Sequence, residues 1–279
     1  MTTETAWRVR ALWSAARSLL DVGGSDLAAS LAYYTLLSFV PFVSLLVLIS
    51  TSFIDLEPLR RHLSMVIEIY FPASQEFLEG AITPLVDARP VVGAISVAAM
   101  IWGANGLFRA TNRTVNRVFG SQQRQPLGIA FTELTFAGGI ISLFLFSITF
   151  SGLFRIATDV TAEFAMSSQL LRELSSLLIK ILLIAVPSVV TFLVFLLVYR
   201  TVPSIPVPWR DAAFGAVTAV ILFEGTKYIF FWIGSQLGNQ SLVYGPLSSV
   251  VIMLIWSQLA ALIFLFGVSL TRESNRLRL

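Results

Sequence analysis

The sequence predicts an all-α membrane protein: a bundle of six transmembrane helices, with an N-terminal interfacial helix and short amphipathic helices in an outer segment. Two observations support this fold class. Hydrophobic residues make up 56% of the 279 residues, whereas only 13% are charged. The apolar runs are also long enough to cross a bilayer, which takes roughly 20 residues for each helix. We therefore expect residues 1–279 to form a single transmembrane domain.

The first 25 residues have the pattern of a helix that lies on a membrane surface. Arg8, Arg10 and Arg17 can reach lipid phosphates from such a helix. The apolar side chains that can share one broad face are Trp7, Val9, Leu12, Trp13, Ala16 and Leu20. We expect 1–25 to be an interfacial anchor and not a nucleic-acid-binding element.

Six apolar segments follow, and each is long enough for one membrane crossing. They lie near 27–53, 91–108, 129–154, 175–199, 212–233 and 244–270. Pro41 and Pro187 are expected to kink the first and fourth spans. The second span is apolar only to about Phe108 and then continues as a polar helix. The prolines of "YRTVPSIPVPWRD" predict a short, stiff turn before the fifth span. The fifth span has small residues at three- and four-residue spacing, which predict close helix packing: Ala212, Gly215, Ala216 and Ala219.

The positions of the arginines predict that both termini are cytoplasmic, because inner segments of membrane proteins carry an excess of basic residues. With six spans and an inner N-terminus, most arginines fall in the inner segments. The outer segment 54–90 is rich in acidic residues. Its stretch "LEPLRRHLSMVIEIYF" has apolar residues at helical spacing, which predicts an amphipathic helix on the extracytoplasmic face.

The sequence contains no motif for catalysis that we recognise. It has no cysteine and a single histidine, His62. It also has no phosphate-binding loop, no His-Glu-x-x-His and no Gly-x-Ser-x-Gly. We therefore expect no enzymatic activity, no metal site and no cofactor.

Two ionisable residues stand inside the fifth span, in "LFEGTKYIF". A charged side chain at bilayer depth costs roughly 2.5–3.5 kcal/mol on insertion scales, so it persists where a partner, a cavity or water offsets that cost. Glu224 and Lys227 are three residues apart, hence on one face of the helix, and can pair. The residues that continue their face are Val217, Val220, Ile221, Tyr228 and Phe231. We therefore expect the ion pair to sit in an apolar wall of aromatic and aliphatic side chains. Two interpretations stay open: an ion pair that fixes helix register, or a charged station on the path of a substrate.

A second set of polar residues lies at the inner end of the second span. Its amides and guanidiniums recur at intervals of three and four residues: Asn105, Arg109, Asn112, Arg113, Asn116 and Arg117. Guanidiniums suit phosphate geometry, so lipid head groups or an anionic substrate are candidate partners. The alternative is the ordinary rim of basic residues at the inner ends of spans. Asp26 is a candidate helix N-cap or a partner for one of these arginines.

Five stretches together resemble the YihY/BrkB-like family of integral membrane proteins. In order, they are "DLAASLAYYTLLSFVPF" (26–42), "IWGANGLFRATNRTVNRVFG" (101–120), "VYRTVPSIPVPWRDAAFGAV" (198–217), "LFEGTKYIF" (222–230) and "VYGPLSSVVIMLIW" (243–256). The positions that match the family pattern are Asp26, Ser30, Tyr34, Ser38, Pro41, Asn116, Arg117, Tyr199, Arg200, Pro203, Trp209, Gly215, Glu224, Lys227, Tyr244, Gly245 and Trp256. The chain departs from the pattern at Pro246, and at Ser269, where the family often has an acidic residue.

The resemblance implies a six-helix protein of the bacterial cytoplasmic (inner) membrane. Family members have been linked to serum resistance and to envelope lipid or small-solute transport, and an older ribonuclease label is attached to the name. The expected partners are therefore membrane lipids and a small solute or lipid substrate, with no nucleic acid. A bundle of this size can work as a monomer or a homodimer.

The leading hypothesis is a transporter or translocase that moves an amphipathic or anionic solute, with lipids among the candidates, through a polar cavity. The candidate cavity residues are Glu224, Lys227, Tyr228, Asp26, Tyr34, Asn105 and Tyr244. The candidate residues for binding an anion or head group are Arg109, Arg113, Asn116, Arg117 and Arg200. One alternative is a non-transporting envelope scaffold that binds a partner through 54–90. A ribonuclease is the least favoured, because the carboxylates of the inner face are too scattered to hold metal ions.

Overall fold

The computed structural model describes residues 3–50, 89–121, 169–237 and 248–276, and within these ranges every regular element is an α-helix. The helices are α1 (Thr3–Asp21), α2 (Gly24–Ser50), α3 (Arg89–Phe119), α4 (Gln169–Thr201), α5 (Trp209–Leu237) and α6 (Ser248–Arg276). The predicted all-α class is confirmed for these ranges. The predicted third span, 129–154, and residues 54–88 of the outer segment lie outside the described residues.

Within the described ranges, two helices are long and apolar enough to cross a membrane. They are Trp209–Phe230, with 22 residues, and Val250–Arg276, with 27 residues; Ala185–Thr201 is a shorter apolar helical stretch. They coincide with the predicted fifth and sixth spans and with the second half of the fourth. The bundle of six spans therefore stays a prediction, with a helix present at five of its six positions.

The helix boundaries follow the prediction at the second span and differ from it at the N-terminus. The polar helix predicted after the second span is confirmed, since the span and its extension form one continuous helix, α3, of 31 residues. At the N-terminus, α1 ends at Asp21 instead of residue 25, because Gly23 turns the chain with a φ of 74° and α2 begins at Gly24. Such a positive φ is adopted readily by glycine. The helices α2 and α4 continue through Pro41 and Pro187.

The crossing of α2 and α3 depends on two glycines of α3. A Cβ atom at Gly103 would lie 3.1 Å from the Cα atom of Ser38, and one at Gly106 would touch the ring of Tyr34. Small residues at such crossings let two backbones approach closely. Since the later glycine meets the earlier residue of α2, the two helices run antiparallel.

Small residues also join α5 to α6, as the sequence predicts. Ala212, Ala216 and Ala219 are fully buried, and a Cβ atom at Gly215 would lie 2.6 Å from the carbonyl oxygen of Gly267. Tyr199 of α4 is fully buried in the same core. Its hydroxyl donates a hydrogen bond of 2.8 Å to the carbonyl of Phe264 in α6.

The close approach of α5 and α6 predicts that a methyl group at Gly215 is destabilising. Because the atom it would meet is backbone, Gly215→Ala forces the helices apart, and overpacking of this kind costs about 1–3 kcal/mol. We expect a lower apparent melting temperature of the purified protein in detergent.

Gly225 provides the matched control, because it lies in the same helix and a Cβ atom there has nothing within 4 Å. Replacing a helical glycine by alanine in open space stabilises the helix by up to about 1 kcal/mol. An equal loss of thermal stability in Gly215→Ala and Gly225→Ala would contradict the packing described for α5 and α6.

Candidate functional site

Glu224 and Lys227 form an ion pair on α5, which confirms the pairing that their spacing predicts. The Nζ atom of Lys227 lies 2.8 Å from Oε2 of Glu224, and the two side chains are 15% and 19% exposed, respectively. The ammonium also lies 5.5 Å from the ring centroid of Phe223, within the range of a cation–π contact. The charges are thus compensated within a single helix.

The second carboxylate oxygen of Glu224 lies outside this ion pair. This atom, Oε1, is buried and makes no hydrogen bond to the described part of the chain. A carboxylate oxygen left in this way carries a desolvation penalty of about 1–3 kcal/mol or more. It is therefore an open acceptor beside a cation, and a water molecule or a polar ligand can satisfy it.

The pair lies at the boundary between two faces of α5. Ala219, Phe223 and Phe230 are buried against the other helices. The opposite face is exposed, including Tyr228 at 62% and Ile229 at 60%. Val217 and Ile221, which the sequence pattern assigns to the same face as the pair, are exposed as well. The ion pair is accordingly at an edge of α5 and not in the centre of an apolar wall.

The polar residues at the end of α3 divide into two groups. The amides of Asn112 and Asn116 are buried, at 1% and 2% exposure, whereas Arg109, Arg113 and Arg117 are exposed. The three arginines, spaced by four residues, form an exposed row along one side of α3, which we call the arginine row. The amides instead face the protein.

Asn116 connects α3 to the turn between α4 and α5. Its Nδ2 atom donates to Oδ1 of Asn112 at 2.9 Å and lies 3.4 Å from the carbonyl of Val202. Its Oδ1 atom accepts hydrogen bonds from the backbone N–H of Ser204 at 2.8 Å and from the hydroxyl of Ser121 at 2.9 Å. We call this set of bonds the Asn116 clamp. It satisfies backbone groups of the turn that the prolines leave without helical partners.

Arg200 fixes the same turn from the other side. Its guanidinium donates to the carbonyl of Val207 at 2.9 Å and lies 4.0 Å from the ring centroid of Trp209. These contacts hold the end of α4 against the start of α5. Two of the predicted anion-binding residues, Asn116 and Arg200, are therefore brought together by the turn, while the arginine row stands apart on the surface.

The remaining predicted cavity residues lie in separate places. Asp26 is exposed in the first turn of α2, where its N–H donates to the carbonyl of Gly23, so Gly23 and not Asp26 occupies the N-cap. Asn105 is exposed and accepts a hydrogen bond of 3.0 Å from Arg109 Nε. Tyr34 lies at the crossing of α2 and α3, and Tyr244 is outside the described residues.

Polar bonds between α1 and α6 were not foreseen from the sequence. The hydroxyl of Ser14 donates to Glu273 at 2.7 Å, and that of Ser269 donates to the carbonyl of Ala15 at 2.8 Å. A guanidinium nitrogen of Arg272 donates to the hydroxyl of Ser18, also at 2.8 Å. The available signal was the small-residue spacing along α1, which is typical of a helix that packs closely on another.

The family profile described as "Virulence factor BrkB" matches residues 15–278. The chain belongs to the BrkB family. The match spans every described helix except the first part of α1, and it includes Glu224, Lys227, Asn116 and Arg200. The resemblance seen in the sequence motifs is thereby confirmed.

Several proteins that are similar in sequence to this chain are named as membrane proteins. A UPF0761 membrane protein of Alteromonas mediterranea is 28% identical over 245 residues, covering 88% of this chain and 80% of the relative. One of Haemophilus influenzae is 28% identical over 251 residues, covering 88% of each. One of Mannheimia succiniciproducens is 27% identical over 257 residues, covering 90% and 85%. The protein is therefore a membrane protein of the BrkB family. No solved structure matches the chain.

At Ser269 the family resemblance implies an acidic residue, which this chain does not have. The hydroxyl of Ser269 is fully buried and bonded to α1. A carboxylate is nevertheless present one helical turn later, at Glu273, which is 4% exposed and bonded to Ser14. In this chain, both positions serve the contact between α1 and α6.

The Asn116 clamp predicts a strong effect of Asn116→Ala on stability. The substitution leaves the N–H of Ser204 without its acceptor, and an unsatisfied buried group costs about 1–3 kcal/mol. We expect a clear drop in the apparent melting temperature. Asn105→Ala, which removes an exposed amide bonded to Arg109, is the matched control and is expected to change little; equal effects would refute the clamp.

The ion pair predicts that a single neutralisation is worse for the fold than a double one. Removing one partner of a fully buried pair costs about 3–5 kcal/mol, and we expect the lower end here because the side chains are 15% and 19% exposed. Lys227→Met should therefore reduce thermal stability more than Lys227→Met combined with Glu224→Gln. Additive losses in this double-mutant cycle would show that the two charges do not interact.

Proposed function

We propose that this BrkB-family protein is a membrane transporter or translocase for an amphipathic or anionic solute, with lipids among the candidate substrates. The observation that carries the proposal is the Glu224–Lys227 ion pair on a helix that is long and apolar enough to cross a membrane. One buried carboxylate oxygen of this pair accepts no hydrogen bond from the described residues. Ionisable groups at membrane depth are expensive and typically mark substrate or ion pathways. An oxygen that lacks a protein partner is suited to a ligand or water that visits the site.

The arginine row provides the second support. Arg109, Arg113 and Arg117 are exposed, and guanidiniums bind phosphate and carboxylate oxygens in bidentate geometry. Because the buried amides beside them keep the end of α3 fixed against the α4–α5 turn, the row is held on a rigid helix. We propose that it attracts the anionic end of the solute at the cytoplasmic side, which is where the excess of arginine predicts both termini to be.

A purely structural role is the competing function. The two charges neutralise each other within α5, and such a pair can fix helix register without any transport. A non-transporting envelope scaffold would use the pair in this way and would bind a partner through the outer segment 54–90. The two functions differ in whether neutral variants that keep the fold also keep flux.

Flux in liposomes tests the proposal. We would reconstitute the purified protein with a fluorescently labelled phosphatidylglycerol and follow its movement between leaflets, with labelled phosphatidylcholine as the uncharged comparison. We expect the anionic probe to move faster. We also expect Glu224→Gln, Lys227→Met and their combination each to lower its flux at least tenfold, because the charged station is lost.

Gly225→Ala is the control, since it lies between the two charges yet leaves them intact. It should keep both fold and flux. If the neutral double variant is folded and retains full flux of the anionic probe, the charged station is wrong. If the wild-type protein moves neither probe while remaining folded, the scaffold is favoured.

A further inference from the structure

The helix α1 has two faces of opposite character. Ala11 and Ala15 are fully buried against α6. On the other side of the helix, Trp13 is 76% exposed and Leu20 is 78% exposed. Large apolar side chains left free in this way, on one face of a helix, mark an interaction surface.

The orientation of that face is fixed by the rest of the protein. Hydrogen bonds from Ser14, from Ser269 and from Arg272 attach α1 to the last turns of α6. The helix cannot rotate about its axis without breaking them. The packing of α1 on α6 therefore directs Trp13 and Leu20 away from the bundle.

The depth of α1 follows from the length of α6. The apolar span Val250–Arg276 has 27 residues, whereas the hydrocarbon core needs roughly 20. The charged end, which carries Arg272, Glu273 and Arg276, is the part that extends beyond the core. Since α1 is bonded to residues 269–273, it lies at the level of the lipid head groups.

At this end of the bundle, charged side chains of opposite sign differ in their exposure. Asp211 and Glu273 are buried, at 1% and 4% exposure, and each accepts a serine hydroxyl at 2.7 Å. The exposed basic side chains of the three helix ends are Arg10, Arg17, Arg210 and Arg276. Asp21 and Asp26 are the exposed carboxylates at the junction of α1 and α2. Arginine therefore dominates what this end presents outward.

We propose that the free face of α1 is a docking surface for anionic lipid: Trp13 and Leu20 insert between the lipids, and the flanking arginines bind the phosphates. Three observations select this occupant. The face lies at head-group depth, and its apolar side chains are flanked by Arg10 and Arg17. Asp211 and Glu273 are buried, so the exposed arginines at this end outnumber the exposed carboxylates. This surface goes beyond the proposed transport function and does not depend on it.

Cysteine labelling tests the surface, because the chain has no cysteine of its own. Full-length Leu20→Cys would be reconstituted in vesicles of phosphatidylcholine, with or without 30% phosphatidylglycerol, and treated with a water-soluble maleimide. Asp21→Cys, one residue away on the polar side of α1, is the matched control. We expect Leu20→Cys to react at least tenfold more slowly than the control in the anionic vesicles.

The charge requirement is tested by Arg10→Gln together with Arg17→Gln in the Leu20→Cys protein. Since each arginine near an anionic surface contributes about fivefold to binding, the double change should speed labelling by up to about 25-fold in anionic vesicles. The rate for the Asp21→Cys control should not change.

Three results would overturn the proposal. Equal labelling of Leu20→Cys and Asp21→Cys in anionic vesicles would show that the face stays in water. If Leu20→Cys is labelled equally slowly with and without phosphatidylglycerol, and with and without Arg10 and Arg17, the face inserts without recognising anionic lipid. Protection that disappears when the protein-to-lipid ratio is lowered tenfold would show that a second copy of the chain covers the face.

Discussion

The Asn116 clamp is the interaction that holds the end of α3 and the turn between α4 and α5 together. One buried amide joins the end of α3 to the backbone of the α4–α5 turn, where the prolines remove helical hydrogen bonds. It ties the turn that precedes α5 to the end of α3. In a membrane protein, each buried backbone group must find a partner within the protein, and Asn116 supplies that partner at the point where two helices end.

The position of the Glu224–Lys227 pair depends on how the start of α5 is held. In the first turn of α5, Trp209 lies against Arg200 and Asp211 accepts a hydrogen bond from Ser274 of α6. Because the small residues of α5 also lie against α6, the helix has one defined rotation. That rotation buries Phe223 and Phe230 and places Glu224 and Lys227 at the edge of the packed face. The same rotation sets the position of the carboxylate oxygen that has no hydrogen-bond partner among the described residues.

Much of this architecture could be predicted from the sequence. Long apolar runs and a proline-rich turn located the helices, and the three-residue spacing of Glu224 and Lys227 predicted their contact, because both features are local. The division of the α3 residues could not be predicted. Asn112, Arg113, Asn116 and Arg117 are neighbours on a helix surface, and only the packing of other helices decides which of them face the protein.

The contact of α1 with α6 was missed for a similar reason. Attention to large apolar residues identified Trp13 and Leu20, which are exposed, whereas the face that binds α6 consists of Ala11, Ala15 and two serines. Alanine and serine contribute little to a hydrophobic pattern, yet they allow close approach. Their partners lie about 255 residues away in the sequence, so no local pattern reveals them.

Transport past Glu224 and Lys227 requires that water or a solute reaches the charged pair. The most direct test is the reactivity of Val220→Cys, one turn before Glu224 on the same edge of α5, towards a small charged methanethiosulfonate in lipid nanodiscs. Ile221→Cys, on the exposed outer face at 66% exposure, is the comparison that only lipid should reach. We expect modification of Val220→Cys while Ile221→Cys stays unmodified. If Val220→Cys reacts only after the protein is unfolded, neither water nor a solute reaches the pair, and Glu224 and Lys227 are not part of a transport path.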